Sequence, residues 1–182
     1  METLKTIVQR RSIREFQNKK VPKKIIEEIL SLSIKAPSGK NRQPWRFVVL
    51  EGNSKSMLVN LMEQGTKFRK LNNLDFGSCE LSSNAIREAP WVILVFNAFS
   101  RFEKDYNHYR ELTDTQSIGA AVQTMLLAAQ DFGLGCLWIC DIFYAEREIC
   151  TWLNRNDELV AAVAIGYANQ YPIYDRVNHG KK

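Results

Sequence analysis

At 182 residues the chain has the length of one compact domain, and no linker or shift in composition divides it. Its 45% hydrophobic and 25% charged residues are those of an ordinary globular protein, which excludes global disorder. A formal charge of +5 suits an anionic ligand, a nucleic acid or a membrane surface, and equally a protein with none of these, so charge alone selects no function.

Leu4, Ile7 and Val8 fall at i, i+3 and i+4 and predict a short amphipathic helix that ends as Arg10 opens a polar stretch. A second helix is expected from Pro22, through Ile25, Ile26, Ile29 and Leu30 towards Ile34, until Pro37 stops it. Loop 36–44 follows, dense in turn formers and polar side chains. Four short apolar runs have strand length: 45–50, 91–96, 136–140 and 159–165. They are apolar at almost every position, so the sheet they build should be covered on both faces. Between the second and third runs, Ile118, Ala121, Val122, Met125, Leu126 and Ala129 repeat at helical spacing up to Gly133 and Gly135. A further helix is expected over 144–153. Residues 52–89 are polar, helical in parts, and carry little pattern. The order of elements lacks the regular strand-helix-strand rhythm of a doubly wound fold, so the expected class is α+β with a mixed sheet.

No charged and apolar leader with a cleavage site precedes the first helix, and no stretch is apolar for long enough to span a bilayer; a cytoplasmic protein is expected. Four Cys without a paired C-x-x-C fit a reducing compartment. Cys136 and Cys140 would lie roughly 13 Å apart on an extended strand, too far for one disulfide or one metal. The thiols therefore read as buried structural groups.

Arg10, Arg11, Ser12 and Arg14 gather three guanidinium groups and a hydroxyl just after a helix. Guanidinium is permanently charged and its planar fork matches phosphate oxygens, so this cluster could hold a phosphate monoester. The same residues would also serve as solvated charges on a helix-ending loop. In loop 36–44, Ser38, Asn41 and Gln43 can both donate and accept, as reading the rim of a heterocycle requires. Trp45 either stacks on such a ring or begins a buried strand. Gly133-Leu134-Gly135 lacks the third glycine of a dinucleotide fingerprint and stands in the order helix, glycines, strand, which is the reverse of that motif. A helix C-cap is the better reading. His108 and His179 stand away from any nucleophile or metal-ligand arrangement, which argues against hydrolase and metalloenzyme chemistry. Few acids and bases, beside a phosphate-suited cluster and a ring-reading loop, point to chemistry carried by a bound cofactor. A basic stretch with interleaved aromatics is approached only over residues 10–24, so nucleic acid is not an expected partner, and neither is a membrane. Lys181 and Lys182 read as a solvated tail.

Five motifs stand in order: Arg10-Arg11-Ser12-Ile13-Arg14 with Phe16; Ala36-Pro37-Ser38 with Asn41 and Gln43-Pro44-Trp45; Ser117-Ile118-Gly119-Ala120-Ala121-Val122-Gln123; Gly133-Leu134-Gly135-Cys136 with Trp138-Ile139; and Ala164-Ile165-Gly166-Tyr167. Together they resemble the nitroreductase family of FMN enzymes over nearly the whole chain. The resemblance implies an α+β fold with a central mixed, mainly antiparallel sheet flanked by helices, in an intertwined homodimer with FMN at the subunit interface. It implies that Arg10, Arg11 and Ser12 hold the FMN phosphate and ribityl, and that Arg14 approaches the N1 and O2 edge. A fixed cation there would favour the reduced anion. Pro37, Ser38 and Asn41 of the partner subunit, with Gln43, would line the ring. Cys140 and Asp141 stand where larger members place Glu-Gly beside the flavin N5, and Arg176 is the position match for a second phosphate-binding residue. The implied activity is ping-pong transfer of hydride from NADH or NADPH to small electron-poor acceptors such as nitroaromatics, quinones or enones, without a protein nucleophile. A specialised flavin enzyme of this fold that does not use NAD(P)H, or a flavin carrier, stays open beside it.

Overall fold

The computed structural model describes residues 3–171. A four-stranded sheet runs in the order β1-β2-β4-β3, with β1 at Trp45–Leu50, β2 at Trp91–Asn97, β3 at Gly135–Ile139 and β4 at Glu158–Gly166. All three pairings are antiparallel. Among the described residues the parallel component expected of a mixed sheet is confined to one bridge, where Ser12 runs alongside Cys136.

Every residue of β2 is buried, because the sheet is clad on both sides and alternate side chains serve opposite layers. Val92, Leu94 and Phe96 point into one layer with Leu58 and Met62 of α3 (Gly52–Leu71) and Ile86 of α4 (Cys79–Glu88). Ile93 and Val95 point into the other, with Ile26 and Ile29 of α2 (Lys23–Ser33) and Ile118, Val122 and Met125 of α5 (His108–Asp131). Each such side chain contributes about 1.5–3 kcal/mol when fully withdrawn from water. Small residues of β4, Ala161, Ala162 and Ala164, let both layers approach the sheet centre.

Three elements depart from the sequence expectation. Helix α5 begins ten residues before its apolar stripe, at His108, because the Asn107 side chain accepts from the N–H groups of Tyr109 and Arg110 and caps it. In place of the single helix expected over 144–153, a tight turn at Asp141–Ala145 leads into a short helix, α6 (Glu146–Trp152). In α1 (Thr3–Gln9) the apolar stripe faces away from the core: Leu4 is 77% and Val8 69% exposed, while Thr6 is buried. Helix α1 leans on α5 through the Thr6 side, leaving Leu4, Ile7 and Val8 uncovered in the single chain. Among the described residues no helix is long and apolar enough to cross a membrane.

Candidate functional site

Residues 12–16 run extended beside β3 and the end of β4. The Ile13 N–H donates to the Cys136 carbonyl at 2.9 Å, and the Gln17 N–H to that of Tyr167 at 2.9 Å. Ile13 and Phe16 are buried in the same core layer, whereas Ser12 and Arg14 are exposed. Gly135 permits this close approach, since a Cβ there would sit 2.8 Å from Ile13 Cγ1. The three arginines read together in the sequence are therefore not equivalent. Arg14 is exposed; Arg10 is only 8% exposed; and Arg11 donates to the carbonyls of Val8 at 2.6 Å and Arg10 at 3.1 Å, closing the end of α1.

Arg14 shares a cavity of about 240 Å³ with Trp138, Cys140, Asp141, Ser82 and Leu81. The strand thus ends at Ile139, and the next two residues turn into this cavity. Cys140 is exposed, which corrects the expectation of four buried thiols; Cys79, Cys136 and Cys150 are buried. Its neighbourhood does not activate it: partial burial and the charge of Asp141 both push the Cys140 thiol up, so it stays protonated near neutrality. Burial pushes Cys136 up to about 12. Asp141 is engaged with α4 rather than facing open solvent. The Ser78 and Ser82 hydroxyls both donate to its Oδ2, the latter at 3.0 Å, and the Cys79 thiol reaches its carbonyl at 3.3 Å. Beneath this turn the Tyr144 hydroxyl donates to Asp75 at 2.7 Å, which holds the Asp75 carboxyl below its usual range.

Loop 36–44 is a separate construction. Lys40, Asn41 and Gln43 adopt left-handed backbone angles, with φ of 52°, 55° and 49°. The polar atoms singled out in the sequence largely bond one another: the Gln43 N–H donates to Ser38 Oγ at 3.0 Å, and Gln43 Nε2 to Asn41 Oδ1 at 3.0 Å. The loop is docked on α5 by the Gly39 N–H, which donates to Ser117 Oγ at 3.1 Å, and by Arg42, which meets both oxygens of Asp114. Sequence reading passed over Arg42 and Asp114. The available signal was a carboxylate three residues before Ser117, at a position that becomes fully buried on α5. Pro37 is exposed at the mouth of the loop, and Trp45 is buried as the first residue of β1.

The two constructions do not meet within one chain. Trp45 pairs with Asn97 at one end of β2, whereas Ser12 aligns, through Cys136 and Ile165, with Trp91 at the other end. They also lie at opposite edges of the sheet. At ~3.3 Å per residue along a strand and ~4.8 Å per strand across the sheet, the loci are roughly 25–30 Å apart. Arg176 lies outside the described residues.

Comparison with known proteins gives the family. A family model described as the nitroreductase family matches residues 7–167. The chain belongs to the nitroreductase family. A structure of a nitroreductase-type protein of Desulfovibrio desulfuricans, solved in complex with FMN, superposes with a TM-score of 0.77 at 30% identity, covering 98% of this chain and 93% of that one. Iodotyrosine deiodinase of Thermotoga neapolitana is 31% identical over 176 residues, 92% of this chain and 89% of the relative. YfhC of Bacillus subtilis, which carries a provisional NAD(P)H nitroreductase name, is 26% identical over 167 residues, 90% of this chain and 82% of its own.

Proposed function

We propose that the chain is an FMN-dependent oxidoreductase that works as a homodimer and moves hydride from NADH or NADPH to a small electron-poor acceptor. The observation that carries the reading is the separation of the two constructions. The Arg10–Arg14 end offers charge and a hydroxyl for a phosphate, and loop 36–44 offers a shaped polar rim for a ring. A single mononucleotide cannot touch both in one chain, so a complete site needs the loop of a second copy. The uncovered Leu4, Ile7 and Val8 of α1 supply apolar surface for that contact.

The residues fit FMN. Ser12 and Arg14 face outward beside the β3 edge, with Arg10 and Arg11 behind them, as a phosphate and ribityl chain would require. The turn at Cys140 and Asp141 is pinned by α4 and opens into the same cavity as Arg14. When bound, FMN supplies the two-electron chemistry. Arg14 provides fixed positive charge where negative charge develops. Asp141, already bonded to Ser78 and Ser82, holds the turn amides in place rather than acting as a base. Donor and acceptor use the same face in turn, which gives ping-pong kinetics. Leu81 lines both this cavity and a cleft of about 780 Å³ between α3 and α4. Nitroaromatics, quinones and enones are the acceptor classes to assay.

The test is the visible spectrum of the purified protein with FMN, before and after anaerobic NADH and then NADPH, together with the mass in solution by light scattering. A dimer whose bound flavin bleaches with either nucleotide is expected. A flavin-loaded monomer would overturn the shared site. The deiodinase among the relatives keeps a second reading beside it, a more specialised flavin enzyme of the same fold. In that reading the flavin is not reduced by NAD(P)H. Bound flavin that stays oxidised with both nucleotides would select it.

A further inference from the structure

We propose that Arg42 is the positioning residue of the ring-facing loop, fixing Ser38, Asn41 and Gln43 through a forked ion pair to Asp114. The inference rests on the reading that this loop meets FMN. Three residues without the freedom of glycine stand left-handed at 40, 41 and 43, a conformation that persists only where the surroundings over-determine it. Arg42 lies inside that run with an ordinary φ of −68°. Its Nε and Nη2 donate to the two oxygens of Asp114 at 3.0 and 3.1 Å, and Nη2 also reaches Glu103 at 2.6 Å. The guanidinium lies 4.7 Å over the Phe99 ring, and Arg110 closes the network on Glu103. Two cations thus meet two carboxylates.

The buried carboxylate gives the arrangement its specificity. Asp114 is wholly buried on α5, close to where that helix turns its apolar face to the sheet. A buried carboxylate is costly unless a cation meets it with good geometry, so the fold is favoured only when the loop returns and inserts Arg42. Lysine would carry the charge but not the fork. Because Ser38, Asn41 and Gln43 are largely engaged with one another, the shape of the loop, more than any free side chain, sets what a ligand meets. Arg42 touches no ligand in this scheme; it acts through the loop backbone.

The experiment compares the full-length wild type with Arg42→Ala, Arg42→Lys and the pair Arg42→Gln with Asp114→Asn, which removes both charges and leaves neither buried alone. Hydrogen exchange of residues 38–43 is followed by mass spectrometry without flavin, and FMN affinity is titrated by flavin fluorescence. Faster loop exchange is expected in all three variants, with the FMN dissociation constant raised roughly ten- to a hundredfold, the scale of one charged hydrogen bond. Lysine should recover only part of the loss. Millimolar guanidinium should restore binding to Arg42→Ala but not to Ser38→Ala, which a general loss of stability would not produce. Loop exchange and FMN affinity equal to wild type in the paired variant would overturn the proposal. If the wild type takes up no FMN, the functional reading fails on its own, and unchanged loop exchange would then overturn the clamp separately.

Discussion

Gly135→Ala tests whether residues 12–16, the proposed phosphate-facing segment, are held by close packing. The added Cβ would lie 2.8 Å from Ile13 Cγ1 and 3.0 Å from Ile13 Cβ and Cγ2. Carbon pairs settle at about 3.5–4.0 Å, so Ile13 has to retreat by roughly 0.5–1 Å. It cannot do so freely, being buried and tied by its N–H to Cys136. Overpacking of this kind costs about 1–3 kcal/mol, and the stiffer unfolded chain returns about 0.4–1 kcal/mol. The balance is a loss of up to about 2.5 kcal/mol, or a melting temperature lower by up to about 10 °C for a chain of this size. Ser12 and Arg14 flank Ile13, so FMN affinity should fall as well. Thermal unfolding with and without FMN, beside an FMN titration, measures both effects. Gly119→Ala is the control for stability: on α5 its Cβ would meet Trp138 at an ordinary 3.7 Å, and it should gain about 0.5–1 kcal/mol. If Gly135→Ala matches wild type in both melting temperature and affinity, close packing does not hold the segment.

Arg14→Ala should weaken FMN binding by about 1.5–3 kcal/mol with little change in melting temperature, since the side chain is exposed; unchanged affinity in a titration removes it from the site. The Arg42 hydrogen bond, with desolvation opposing it and the charges of Arg42 and Arg110 assisting, holds the Glu103 carboxyl below the usual range. A depressed folded value means that its contribution is present at neutral pH and is lost as pH falls through that value. Loop exchange should therefore rise only below about pH 4, and a midpoint near pH 6–7 would indicate histidine instead. Thiol labelling of the native protein should modify Cys140 alone, and slowly, with Cys79, Cys136 and Cys150 reacting only after unfolding; early labelling of Cys136 would contradict its burial. Mixing Arg14→Ala with Asn41→Ala subunits and refolding them together should restore about one quarter of the wild-type flavin sites, because half of the randomly paired dimers keep one intact site. No recovery would contradict a site shared between subunits.

The strands were legible because each is apolar at almost every position, and alternation assigned their side chains to two layers, as Val92 and Ile93 do in the structure. The site was legible as two motifs and much less as contacts. Arg10, Arg11 and Arg14 look alike in sequence, but the end of α1 and the docking of residues 12–16 beside β3 give them three different environments. The long helices α3 and α4 were opaque because one side is spent on polar surface and on ties such as Ser78 and Ser82 to Asp141, which no periodicity encodes. The apolar stripe of α1 was visible, but a stripe does not say whether its cover is the chain's own core or another copy. Arg42 and Asp114 escaped notice because a buried ion pair is a long-range event, joining residues that have no common pattern.

The separation of the two constructions follows from the path of the chain between them. After residues 12–16 align beside β3, the chain crosses the α5 side of the sheet as α2, which packs on α5, and emerges in loop 36–44 ahead of β1 at the opposite edge. Motifs that are near in sequence are thereby carried to opposite edges, and a nine-residue loop anchored at both ends cannot span the roughly 25–30 Å between them. In the proposed dimer a two-fold axis resolves this without new structure, since setting the loop of one copy against the β3 edge of the other necessarily sets the reverse pair together as well. The ion pair thus sets the shape of the loop, while the path of the chain sets its distance from the β3 edge, and in the proposed dimer it is the partner's β3 edge that the loop meets.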